Sequence, residues 1–134
     1  MNRRIIGIGS PFGADQLGWR AIDLLQTELT GCELIKLDRP GSDLIRYFQG
    51  LDDVVLIDAV QAGRSPGSAR RLEMEDLSNA ECQTSSHGFG VADALRMAAR
   101  LDLLPPQLIL IGVETGGDLT SIPDIELEQL AGLL

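Results

Sequence analysis

Residues 54–60 read Val54-Val55-Leu56-Ile57-Asp58-Ala59-Val60, and this run sets the class of fold. It is apolar at almost every position instead of at every second one. A strand of that kind is buried on both faces, the habit of parallel sheets sandwiched between helices. Working outward, residues 4–9 and 108–113 are runs of the same Ile/Val/Leu character, residues 32–37 form a weaker one, and residues 68–72 are polar enough for an edge strand. Helical patterns lie between them. The clearest joins Val91, Ala94, Leu95, Ala98 and Leu101, one apolar stripe at helical spacing. Ile22, Leu25 and Leu29 mark an earlier helix, and Leu44, Ile45 and Phe48 a short second one. Leu127, Leu130, Ala131 and Leu134 mark a terminal helix, with Pro123 expected in its first turn. The alternation predicts an α/β fold: one three-layer domain over residues 1–134, its mostly parallel sheet covered on both faces.

The remaining composition narrows the function. With 134 residues, 44% of them hydrophobic, the chain has the makings of a single core, and no repeat or linker interrupts it. Its net charge of −9 repels phosphate backbones and anionic membranes, so nucleic acid is excluded as the expected partner. Arg3 and Arg4 precede an apolar stretch, but residues 5–8 are too short for an export signal. No apolar run approaches the roughly 20 residues of a membrane helix, so the chain is expected to be soluble and cytoplasmic. Cys32 and Cys82 fit neither a disulfide framework nor a zinc pattern and are expected to be reduced and packed.

Chemistry in such folds gathers at the carboxyl ends of the strands. The first of those loops, Gly7-Ile8-Gly9-Ser10-Pro11-Phe12-Gly13-Ala14-Asp15-Gln16-Leu17-Gly18, resembles a dinucleotide-binding turn, yet Phe12 stands where the third glycine belongs. Asp38 lies where a ribose-binding acid could stand, which keeps a nucleotide-binding Rossmann-like module as an alternative. Asp58 interrupts the most apolar strand. An acid there either caps a neighbouring element or serves as a catalytic or metal-contacting carboxylate. His87, the single histidine, sits in Ser85-Ser86-His87-Gly88-Phe89-Gly90 just ahead of the best helix. The electropositive helix start favours its neutral, ligating form, although a hydrogen-bonded loop histidine is an equal reading. Ser85 or Ser86 with His87, and Cys82 with His87, are weak nucleophile–base pairs, since neighbours in sequence seldom face each other and a buried structural cysteine is commoner. G-x-S-x-G and H-E-x-x-H motifs are absent.

Taken together and in order, these segments resemble the hydrogenase maturation endopeptidase family. The family's opening turn is matched by Gly7, Gly9, Ser10, Asp15, Gln16 and Gly18, and its strand acid by Ile57-Asp58-Ala59. Its loop histidine and helix opening are matched by Ser86-His87-Gly88-Phe89-Gly90-Val91-Ala92-Asp93-Ala94-Leu95, and its last strand by Ile111-Gly112-Val113-Glu114. The resemblance implies a twisted five-stranded sheet between helices. It further implies an aspartic-type endopeptidase that senses nickel carried by its substrate, the precursor of a NiFe-hydrogenase large subunit, and removes a carboxy-terminal extension. Carried across, the metal-contacting positions are Gln16, Asp58 and His87, with Asp58 and His87 also catalytic. Gln16 departs from the family, which has Glu or Asp there. An amide oxygen still coordinates but brings no charge and no base, and Asp15 is the possible substitute. A monomer is expected, and a nickel-dependent scaffold that binds the precursor without cutting is the further alternative. Residues 10–14 and 118–123 are candidate walls of a peptide cleft, or ordinary connections.

Overall fold

The computed structural model describes the backbone of residues 3–78, 83–84 and 90–134, and the side chains of all of these except 77, 78, 83 and 84. Six strands are present in that part: β1 (Arg3–Gly9), β2 (Glu33–Asp38), β3 (Asp53–Gln61), β4 (Ala69–Leu72), β5 (Gln83–Thr84) and β6 (Gln107–Glu114). Three helices accompany them: α1 (Leu17–Gln26), α2 (Val91–Arg100) and α3 (Leu127–Gly132). The sheet runs β2-β1-β3-β6-β4. Its inner pairings, β1 with β2, β1 with β3 and β3 with β6, are parallel, and β4 closes the far edge antiparallel to β6. The five expected strands form this path, and the two-residue β5, which alternation along the chain did not announce, adds antiparallel to the end of β3.

Why the central strands lack alternation is visible in their burial. Ile6, Ile8, Val54, Leu56 and Val60 point to one face and join α2 and the 3-10 segment Ser42–Phe48 in a first core. Ile5, Val55, Ile57 and Ala59 point to the other and join α1 and α3 in a second. Every residue of β3 before Gln61 is buried, so both faces demand apolar side chains. Each fully buried aliphatic chain contributes about 1.5–3 kcal/mol. On α2, Val91, Ala94, Leu95 and Ala98 are the buried residues, while Leu101 lies past the helix end and is exposed.

Three details differ from the periodicity. Residues 44–48 form a 3-10 turn, not an α-helix, hemmed between Pro40-Gly41 and Gly50, whose φ of +75° ends the segment. α1 stops at Gln26, and Leu29 instead packs on the α1-side core from the turn beyond it. Pro123 precedes the Glu126 cap of α3 by three residues, and the cap is held where Gly67 O accepts from Glu126 N. Cys32 is a free thiol, partly buried against the α1-side core, and Cys82 lies outside the described residues. Among the described residues, no helix is long and apolar enough to cross a membrane.

Strand order positions the site. The chain leaves β1 for β2 on one side and then returns to β3 on the other, so the order reverses between β1 and β3. At such a reversal the loops diverge to opposite faces and leave a crevice at the carboxyl ends of the two strands.

Candidate active site

Asp58 lies at that crevice. β1 stops pairing with β3 at Gly7 opposite Ile57, one residue short of Asp58, and β5 takes up β3 again only at Val60 opposite Thr84. Asp58 and Ala59 therefore occupy a gap in the ladder on that side. On the other side the partner of Asp58 is Gly112, so no side chain stands beside the carboxylate on β6. The carboxylate is 6% exposed and its Oδ1 accepts from the Ala59 amide at 2.8 Å. By strand parity it shares the face of Leu56 and Val60, the side that α2 covers. Holding an acid in a dry strand costs free energy unless specific partners meet it, and this crevice is where such partners converge.

The loop after β1 approaches from the α1 side. Gly18 packs directly on the strands: a Cβ there would collide with the Ile8 carbonyl oxygen and lie 2.9 Å from that of Ile57. Gly7 faces Gly18 with equal closeness, so this glycine pair supplies the tight strand-to-helix contact that a third glycine at position 12 would provide in a dinucleotide turn. Phe12 is thereby released to solvent, 65% exposed, with the Arg39 guanidinium over its ring at 5.8 Å. Asp38, the candidate ribose-binding acid, is engaged by Arg39 at 2.7 Å.

Gln16 ends the 3-10 turn Gly13–Gln16 and caps α1 without a side-chain hydrogen bond, half-buried, its amide unpartnered among the described residues. Asp15 is held within its own loop, where its Oδ2 accepts from Ser10 Oγ at 3.1 Å. Gln16 and Asp58 thus stand on elements packed against each other, the turn on β3 and α1 on the Ile57 carbonyl. His87, Ser85 and Ser86 lie outside the described residues. The described neighbours are informative: Thr84 pairs with Val60 beside Asp58, and Gly90 opens α2, donating its amide to Asp93 Oδ2 at 3.4 Å. Among the described residues, no group of three or more His, Cys, Asp or Glu could hold a metal ion.

A second buried acid closes the apolar strand β6. Glu114, 1% exposed at the end of β6, accepts from the amides of Ala62 (3.0 Å), Arg64 (3.2 Å) and Gly116 (3.1 Å). One carboxylate thus ties the loop after β3 to the loop after β6. The signal was present, since Glu114 closes an apolar strand just as Asp58 interrupts one. The expected cleft walls are also joined: Ala14 N donates to Leu119 O at 3.0 Å, linking the loops after β1 and β6. In the second of these, Asp118 accepts from the Thr120 hydroxyl (2.6 Å) and amide (3.0 Å) and from Ser121 Oγ (3.1 Å). These bonds, the Thr120 hydroxyl foremost, hold its carboxyl below the ordinary aspartate range.

Comparison with known proteins gives a concordant picture. HupD of Thiocapsa roseopersicina, a hydrogenase expression/formation protein, is 29% identical over 97% of this chain and 58% of its own length. HupM of Azotobacter chroococcum mcd 1, of the same description, is 29% identical over 99% of this chain and 62% of its own. The chain therefore spans about three fifths of these curated relatives. In three dimensions it superposes on the NiFe hydrogenase maturation protease HybD of Thermococcus kodakarensis with a TM-score of 0.69, at 22% identity and over 99% and 92% of the two chains. On HybD of E. coli, a hydrogenase maturating endopeptidase, the score is 0.71, at 22% identity and over 99% and 85%. The model of the hydrogenase maturation proteases matches residues 26–128, a span that holds Asp58 and His87 and begins after Gln16. By that match over most of its length, the chain belongs to the hydrogenase maturation protease family.

Proposed function

We propose that this protein is a cytoplasmic endopeptidase that recognises nickel in the precursor of a NiFe-hydrogenase large subunit and removes a carboxy-terminal extension from it. The observation that carries this reading is the buried Asp58 carboxylate at the β1/β3 crevice of a fold shared with maturation proteases. The ion belongs to the substrate. Gln16 Oε1 and the Asp58 carboxylate offer oxygen donors, and His87 an imidazole, a sparse set suited to an ion whose softer thiolate ligands come from the precursor. Nickel bound there supplies Lewis-acid polarisation.

The chain's own residues do the rest. Asp58 fixes the ion and the scissile peptide relative to the rigid sheet, and its carboxylate can accept a proton from the attacking water and pass it to the leaving amine nitrogen as the C–N bond breaks. Gln16 contributes a dipole but no charge and no base, so the acid–base work falls on Asp58 and His87. Asp15, tied to Ser10 through one carboxylate oxygen, is the possible substitute for the charge that Gln16 lacks. Asp58→Asn keeps shape and removes the charge. It is expected to lower the processing rate by at least about a hundredfold, in line with general-base contributions. Processing of purified precursor by mass spectrometry, with circular dichroism to verify folding, checks this; a folded Asp58→Asn variant that cuts at the parent rate removes the site.

A further inference from the structure

Beyond Asp58 the carboxyl edge carries a cleft of about 300 Å³ lined by Gln61, Gly63, Arg64, Pro66, Gly116 and Gly117. We infer that this cleft is a subsite for a carboxylate of the peptide being cut, with the Arg64 guanidinium as its receptor; the inference rests on the endopeptidase reading and names a substrate feature for it. Four observations combine. The walls are fixed, because the buried Glu114 carboxylate accepts from Ala62, Arg64 and Gly116 and the Gly67 amide donates to Glu114 O at 2.8 Å. The guanidinium has no hydrogen-bond or ion-pair partner among the described residues, whereas Arg3, Arg4, Lys36, Arg39 and Arg96 are all paired with acids. Arg20, Arg46 and Arg100 also lack one, on α1, on the Ser42–Phe48 turn and at the end of α2, but none of them lines this cleft.

Third, Gly117 is a glycine that the fold does not demand. Its φ is not positive and a Cβ there would meet nothing within 4 Å, so the missing side chain leaves the cleft open instead of relieving strain. Gly63 also opens onto empty space, although its φ of +74° accounts for it. Fourth, the reach is right. Gln61 follows Asp58 by three residues of strand, about 10 Å, a distance that three extended residues of peptide cover. A planar guanidinium matches a carboxylate in two-pronged geometry.

The test follows backbone amides of the full-length protein by NMR during titration with three probes: N-acetyl-alanyl-alanine with a free carboxylate, the same dipeptide as its amide, and N-acetyl-aspartate amide. The amides of Gly63, Gly116 and Gly117 are expected to shift with at least one of the two carboxylate probes, with Kd in the range of roughly 1–10 mM. The tighter of the two tells whether a chain terminus or an acidic side chain is read. Arg64→Gln is expected to weaken binding at least tenfold and Gly117→Leu to abolish it, both with unchanged spectra elsewhere. Equal shifts with the neutral dipeptide, or full binding by Arg64→Gln, would overturn the subsite. Carboxylate binding by a protein that never cuts precursor would retain this site and remove the endopeptidase, whereas cutting without a carboxylate-dependent shift would do the reverse.

Discussion

Asp58 and Glu114 are both buried acids in adjoining strands, yet their surroundings differ. Glu114 is satisfied by three backbone amides from two loops, so its charge is consumed in holding the edge together. Asp58 accepts from the Ala59 amide next to it in its own strand and sits at the crevice, with Gly112 opposite it on β6. Replacing Glu114 by Gln puts an amide donor against N–H groups that are themselves donors, and is expected to cost about 1–3 kcal/mol, measured as a lowered urea midpoint at unchanged slope. Gly18 is constrained by space alone. Gly18→Ala forces a methyl into the Ile8 and Ile57 carbonyls, lifting α1 from the sheet, and is expected to cost at least about 2 kcal/mol by the same measurement. A neutral effect of Gly18→Ala would show that α1 does not seat on the β1/β3 crevice as described.

Among elements, the loops after β1, β3 and β6 line the carboxyl edge of the sheet, and each is pinned by a different device. The first is pinned by the Gly7–Gly18 contact and the Ala14–Leu119 hydrogen bond, the second by Glu114. The third is stiffened by the Asp118 turn, whose sign with pH follows from the lowered folded value. A carboxyl depressed on folding contributes above its unfolded value and loses that contribution as pH falls through the folded one. The Thr120 and Ser121 contacts are therefore expected to hold at neutral pH and to release only below the ordinary aspartate range. The Thr120 amide resonance followed from pH 6 to 2 checks this. A shift midpoint above pH 4 would contradict the turn as drawn.

At the scale of the whole molecule, the order of strands and helices was legible because β3, buried on both faces, reads as a continuous apolar run, and α2 carries a full stripe. Edges and ends were less legible. β5 has two residues, too few for any period, and the 3-10 segment Ser42–Phe48 shares its buried spacing with an α-helix. At the site, Asp58 stood out as an acid in an apolar strand. The clamp made by Glu114 did not, because its donors come from residues 62, 64 and 116, and pairings across so many residues exist only after folding. Arg64 and Gly117 escaped notice for a related reason: an arginine and a glycine in loops mean little until the fold sets them around one cleft. The proposed function has this edge of the sheet read a nickel ion inside another protein and then cut that protein. Mixing the purified chain with nickel-loaded and nickel-free large-subunit precursor, and weighing the products, decides it. The nickel-loaded precursor is expected to lose a carboxy-terminal peptide while the nickel-free one stays whole; equal cutting of both, or association with the loaded precursor and no peptide released, would contradict it.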